Sequence, residues 1–141
     1  MKIENPNFVY LIRGGHESLS LNIIFGFHNE CLKLYNSEAI WQLIVNTYSL
    51  LSIGAVLKGS KTLCISGGLS PDFKSLTELK RFIKTNQKNL HQMPKEIVND
   101  SILSDLFWGV PIENESDDKF TFAENGMGYK FPFKSTFDFL F

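Results

Sequence analysis

The chain has 141 residues, of which 43% are hydrophobic and 13% aromatic, a composition that excludes an intrinsically disordered protein and suffices for one domain with a buried core. Fourteen basic residues against 15 acidic ones give a formal net charge of −1. Two cysteines, Cys31 and Cys64, are too few for a disulfide framework, so we expect both to be small core residues.

The amino-terminal third is predicted to form strands. An apolar run over residues 8–13 ends at Gly14-Gly15, and alternating apolar residues follow in residues 18–27. This pattern is typical of a β-hairpin, and residues 31–35 are predicted to add a third short strand.

A long apolar helix is predicted next, with Ser37 as its N-cap and its end near Leu57. No charged residue occurs from Ala39 through Leu57, and the polar side chains Gln42, Asn46 and Ser49 form one narrow stripe. We therefore expect a central buried helix. Nineteen uncharged residues also reach the minimum length of a membrane span, but the polar residues within the run argue against that alternative, and no membrane span is expected.

The middle of the chain continues with a predicted strand over residues 62–66, a turn at Gly67-Gly68 and a helix from Ser75. The sequence Ser75-Leu76-Thr77-Glu78 has the capping-box pattern that marks a helix start. A further helix is predicted from about Pro94 to Phe107, with Glu96 and Asp100 one turn apart on its exposed side.

The last quarter is predicted to be a strand pair. Asn125-Gly126 is a preferred hairpin centre, and beyond it aromatic residues occupy positions of one parity: Tyr129, Phe131, Phe133, Phe137, Phe139 and Phe141. The order of elements predicts a single α+β domain over residues 1–141, with a mostly antiparallel sheet, one long buried helix and two further helices.

Chemical motifs are sparse. The pair His16-Glu17 suits acid–base chemistry, but an exposed histidine in a turn is the stronger interpretation. His28 and Cys31 have the spacing of half a metal site without a second close pair. The chain has one basic stretch, residues 74–95, and its single aromatic residue, Phe82, is expected in the core. A basic stripe without stacking aromatic residues argues against nucleic-acid binding. We expect no catalytic residue, no metal, no cofactor and, since no signal-peptide pattern is visible, a cytoplasmic protein.

The clearest feature is an acidic segment, residues 96–118, which contains no basic residue. Its carboxylates could complement a basic protein surface, and its tryptophan is a residue type enriched among interface hot spots. The alternative is that these charges are solvated or are neutralised by the preceding basic stretch. The predicted partner-binding residues are Glu96, Asp100, Asp105, Trp108, Glu113, Glu115, Asp117 and Asp118.

In overall character, a small chain rich in Lys, Asn and Phe with an acidic, aromatic-bearing segment and no active-site motif resembles the immunity proteins of bacterial toxin systems, including contact-dependent growth inhibition. The resemblance implies a protein that neutralises a cognate toxin domain, often a nuclease with a basic substrate site, by covering or flanking that site. The alternatives are a small cytosolic enzyme using His16, Glu17 or the cysteines, and a regulatory subunit with another basic partner.

Overall fold

The computed structural model describes residues 1–60, 62–90, 102–113 and 118–140, and the fold is α+β. In these residues six helices accompany two small sheets, rather than the predicted mostly antiparallel sheet with one long buried helix and two further helices. The helices are α1 (Leu19–Ile24), α2 (Phe27–Tyr35), α3 (Glu38–Tyr48), α4 (Leu76–Leu90), α5 (Ile102–Trp108) and α6 (Phe133–Leu140). The strands are β1 (Gly54–Leu57), β2 (Thr62–Ile65), β3 (Val110–Pro111), β4 (Thr121–Phe122) and β5 (Tyr129–Phe131).

The amino-terminal hairpin prediction is wrong, because this region forms the helices α1 and α2. The buried residue of α1 is the polar Asn22, so the alternation of apolar residues around it did not mark the inward face. Gly26 separates the two helices in the left-handed conformation (φ +87°), which glycine adopts without a steric penalty. The predicted strand over residues 31–35 lies within α2, where Cys31 faces the interior.

The predicted long helix is also corrected, because α3 ends at Tyr48 and the chain then turns into β1. Trp41, Val45 and Tyr48 are buried at helical spacing, whereas Leu43 is 63% exposed, so α3 buries one face only. Within the described ranges, no helix combines the length and the apolar character needed to cross a bilayer.

Two middle elements are confirmed. β2 pairs antiparallel with β1, from Gly54 opposite Ile65 to Leu57 opposite Thr62. The Ser75 hydroxyl accepts the Glu78 N–H (3.3 Å) at the start of α4, and the Glu78 carboxylate accepts the N–H of Lys74 (2.8 Å). Of the helix predicted over residues 94–107, the part up to residue 101 lies outside the described residues and the rest forms α5.

The carboxyl-terminal hairpin is confirmed, but the aromatic strand after it is not. β5 pairs antiparallel with β4 and parallel with β3, giving the strand order β3-β5-β4. The chain then forms α6, directly after the buried Pro132, which has no N–H to continue a ladder. Helical rather than alternating geometry buries Phe139 and leaves Phe133 (73%) and Phe137 (57%) exposed.

Two hydrophobic clusters form the core. The helical cluster lies between α2 and α3, and the main cluster joins α4, α5 and α6 to the strands. Residues 12–18 run between the clusters, where Ile12 pairs with Ser52 and the Arg13 N–H donates to the Ser52 carbonyl (2.8 Å). The buried residues are Cys31, Trp41, Val45 and Tyr48 in the helical cluster, and Ile53, Leu69, Leu79, Leu106, Phe107 and Phe139 in the main cluster.

Candidate protein-binding surface

The predicted partner-binding residues occupy different environments. Glu113 and Asp118 are exposed, Trp108 is half-buried and Asp105 is buried. The remaining four, Glu96, Asp100, Glu115 and Asp117, lie outside the described residues. The structure therefore leaves two of the predicted carboxylates on the accessible surface that it describes.

Asp105 does not belong to that surface, because it is only 5% exposed and serves the interior. Its carboxylate accepts a hydrogen bond from the Ser70 hydroxyl at 2.6 Å. Its backbone carbonyl accepts the N–H groups of Gly68 (3.2 Å) and Gly109 (2.7 Å). These bonds tie the loop after β2 to the end of α5, so Asp105 is a structural residue. Its partner Ser70 lies 35 residues away, and no local pattern reveals the pairing.

Trp108, the predicted anchor, is partly used inside the protein. It ends α5 and packs so closely on Gly15 that a Cβ atom there would lie 2.4 Å from the indole Cε2. The indole ring is also 5.3 Å from the His16 ring, centroid to centroid. The half-exposed indole ring is thus held in one position by its contacts with Gly15 and His16.

His16 extends this packing to the surface. Its exposed ring stacks on Phe25 with a centroid separation of 4.9 Å and an interplanar angle of 29°. Phe25 is itself 61% exposed. Phe25, His16 and Trp108 thus form a continuous row of three rings, here called the aromatic row. The sequence pattern did not identify Phe25, because it was assigned to a core-facing strand position.

Residues 13–18 hold the aromatic row in place. The buried Arg13 guanidinium donates to the Glu17 carbonyl through Nε (2.9 Å) and Nη2 (2.6 Å), and it lies 5.7 Å from the centre of the Phe107 ring. The Glu17 carboxylate accepts the Gly14 N–H at 2.7 Å. These three hydrogen bonds close the loop around His16 and fix the backbone from which its ring projects.

A buried hydrogen-bond network fixes the loop from the other side. Asn22 donates to the His16 carbonyl (2.9 Å). The amide oxygen of Asn22 accepts hydrogen bonds from the Trp41 indole (3.3 Å) and the Tyr48 hydroxyl (2.9 Å). Each of these side chains is buried, so the network ties the aromatic row to the helical cluster.

The sheet edge continues this surface towards the acidic segment. β3 follows Trp108 after one residue and lies at the edge of its sheet, with Val110 and Pro111 exposed. Glu113 comes five residues after Trp108, which places the two Cα atoms within about 17 Å at the rise of an extended chain.

A cation on the strand beside β3 is already paired. Lys130 on β5 donates to the Glu124 carboxylate at 2.9 Å. This hydrogen bond and charge contact lower the pKa of Glu124, and they raise the pKa of Lys130, to which the charge of Glu113 also contributes. Glu113, Glu124 and Lys130 together carry a net charge of −1.

The other candidate groups have structural surroundings. Cys31 is buried and Cys64 half-buried, both as free thiols, and His28 contacts the Glu38 carboxylate (2.9 Å). Within the described part of the chain, no three metal-ligating side chains are grouped closely enough to hold an ion. Gly67, in the turn after β2, packs against the backbone of Phe107 and Trp108. No protein-family model matches the sequence.

Proposed function

We propose that this protein is an immunity-type binding protein, which neutralises a cognate toxin domain by covering a basic surface. The observation that carries the proposal is the adjacency of the aromatic row and the exposed Glu113 of the acidic segment. The two features lie within about 17 Å of each other, and a standard interface of about 800 Å² per partner spans both.

The aromatic row would supply most of the affinity. Exposed, rigid aromatic rings bury a large apolar area with little loss of conformational entropy, and they are enriched among interface hot spots. Phe25 is 61% exposed, so its replacement by alanine costs the interface more than the fold.

The acidic segment would supply orientation and speed of encounter. Glu113 and Asp118 are exposed, and exposed charges act chiefly on the association rate. The charges of Lys130 and Glu124 offset each other, so the charge of Glu113 remains as the excess. A partner with a basic surface, such as the substrate site of a nuclease toxin, would be electrostatically complementary to this segment.

The test measures binding of the toxin domain encoded beside the gene, together with protection of cells that express it. Phe25→Ala should raise the dissociation rate about tenfold, the loss of a moderate hot spot. Glu113→Lys combined with Asp118→Lys should slow association and weaken its dependence on salt.

Matched controls separate these effects from general damage. Phe8→Ala removes another exposed aromatic ring (86% exposed), and Glu4→Lys with Asp72→Lys makes the same change in charge at other exposed positions. Both controls should bind normally. Equal behaviour of the test and control variants would remove this surface from the proposal, and failure of the wild type to bind or protect would overturn the proposed function.

A further inference from the structure

A hollow of about 480 Å³ is lined by residues from positions 11–17, from the end of α3 and from Ser66, directly after β2. Leu11, Ile12 and Leu51 form its apolar walls. Glu17, Thr47 and Tyr48 supply its polar groups, and Glu17 is the one ionised side chain among its described lining residues.

The side-chain oxygens of Glu17, Thr47 and Tyr48 can act towards a ligand only as hydrogen-bond acceptors. The Tyr48 hydroxyl donates to Asn22 (2.9 Å), and the Thr47 hydroxyl donates to the Ile44 carbonyl (2.6 Å). An ionised carboxylate such as Glu17 accepts only. The Ser66 hydroxyl, at the exposed rim, can turn either way. The hollow therefore presents acceptors, which suits a ligand that carries only donors.

The local field also favours a cation. Burial raises the pKa of the Tyr48 hydroxyl, and its hydrogen bond to Asn22 opposes that rise. At this hydroxyl the charges of Glu17 and Cys31 raise the pKa, and each acts more strongly than the charge of Arg13, which lowers it. Tyr48 is the last residue of α3, and the last turn of that helix has no basic side chain to offset the negative end of its dipole.

We propose that this hollow binds the alkylammonium end of a lysine side chain that the toxin partner inserts. An ammonium group has three donors and no acceptor, and its aliphatic stem packs on apolar walls while the charge meets a carboxylate. The identity of the lysine donor rests on the proposed function. The hollow itself is a second contact, beyond the aromatic row and the acidic segment.

The first experiment needs no toxin. n-Butylammonium is titrated into the full chain while amide shifts of Gly14 and Leu51 are followed by NMR, with n-butanol and butyrate as probes of the same chain length. The ammonium should bind at least tenfold more tightly than either. Equal binding of n-butanol would overturn the proposal, because the charge would then play no part.

Variants locate the binding group. Glu17→Gln removes the charge but keeps an oxygen that can accept the Gly14 N–H. This variant should raise the Kd for n-butylammonium about tenfold, as expected for loss of a hydrogen bond to a charged group. Thr47→Val should raise the Kd by a smaller factor, about threefold. Glu30→Gln, on the exposed face of α2, should leave the Kd unchanged. An unchanged Kd in Glu17→Gln would refute the assignment.

The second experiment separates this inference from the proposed function. Toxin binding by the wild type with unchanged affinity in Glu17→Gln would overturn the lysine contact and leave the proposed function standing. Normal n-butylammonium binding without any toxin binding would overturn the proposed function and with it the assignment of the lysine to a toxin.

Discussion

The contact between Gly15 and Trp108 makes a sharp test of how the aromatic row is built. In Gly15→Ala the new methyl group would lie 2.4, 2.5 and 2.9 Å from three atoms of the indole ring, whereas carbon atoms pack at about 3.5–4.0 Å. The indole must therefore move by roughly 1 Å, which also disturbs its contact with His16.

The expected cost is that of overpacking, about 1–3 kcal/mol of unfolding free energy, because the indole is attached to the end of α5 and is half-buried. For a chain of this size, a loss of 2 kcal/mol corresponds to a fall in Tm of roughly 5–10 °C. Gly59→Ala is the control, since nothing lies within 4 Å of a Cβ atom at Gly59.

Chemical unfolding followed by circular dichroism gives the free energies, and acrylamide quenching of tryptophan fluorescence reports the indole. Trp41 is 3% exposed, so increased quenching in Gly15→Ala would come from Trp108. Equal stability and equal quenching in Gly15→Ala and Gly59→Ala would refute the close packing at this position.

Three further outcomes are expected. Phe139→Ala should lower the unfolding free energy by about 3 kcal/mol, the low end for a buried phenylalanine, because cavities of 290 and 280 Å³ already flank the ring. Phe133→Ala should lower it by less than about 0.5 kcal/mol, since that ring is exposed. Equal losses in the two variants would support the aromatic strand instead of α6. Ser70→Ala should lower the unfolding free energy by about 1–3 kcal/mol, because the buried carboxylate of Asp105 loses the hydrogen bond from the Ser70 hydroxyl, and an unchanged denaturation midpoint would refute that role. Because burial raises the pKa of Tyr48 in the folded state, its contribution is complete below about pH 10 and is lost as the pH rises through the folded value, so Tyr48→Phe should reduce the alkaline fall in Tm.

Local signals with a physical mechanism predicted their elements. The capping box at Ser75 marked the start of α4, and the Asn125-Gly126 pair marked the hairpin of β4 and β5. Hydrophobic periodicity over short runs did not distinguish a strand from a helix. Phe133 and Phe137 share strand parity, but their spacing of four residues fits a helix equally well, and Pro132 before them decides for the helix.

The sequence predicted which residue types the candidate surface contains, but not which of these residues lie together. The run of acidic residues indicated a binding segment, and Glu113 lies exposed within it. The burial of Asp105 depends on Ser70, and the aromatic row depends on contacts of Trp108 with a loop more than 90 residues earlier. Such long-range contacts arise from tertiary packing, which no local pattern encodes.

The position of the residue 13–18 loop has a consequence for cooperativity. At this loop Arg13 reaches the Phe107 ring of the main cluster, and Asn22 donates to the His16 carbonyl. Asn22 in turn accepts hydrogen bonds from Trp41 and Tyr48 of the helical cluster. We therefore expect the two clusters to unfold together as long as these contacts are intact. A change that loosens these contacts lets the helical part open first, so amide exchange in α1 to α3 becomes faster than in α5.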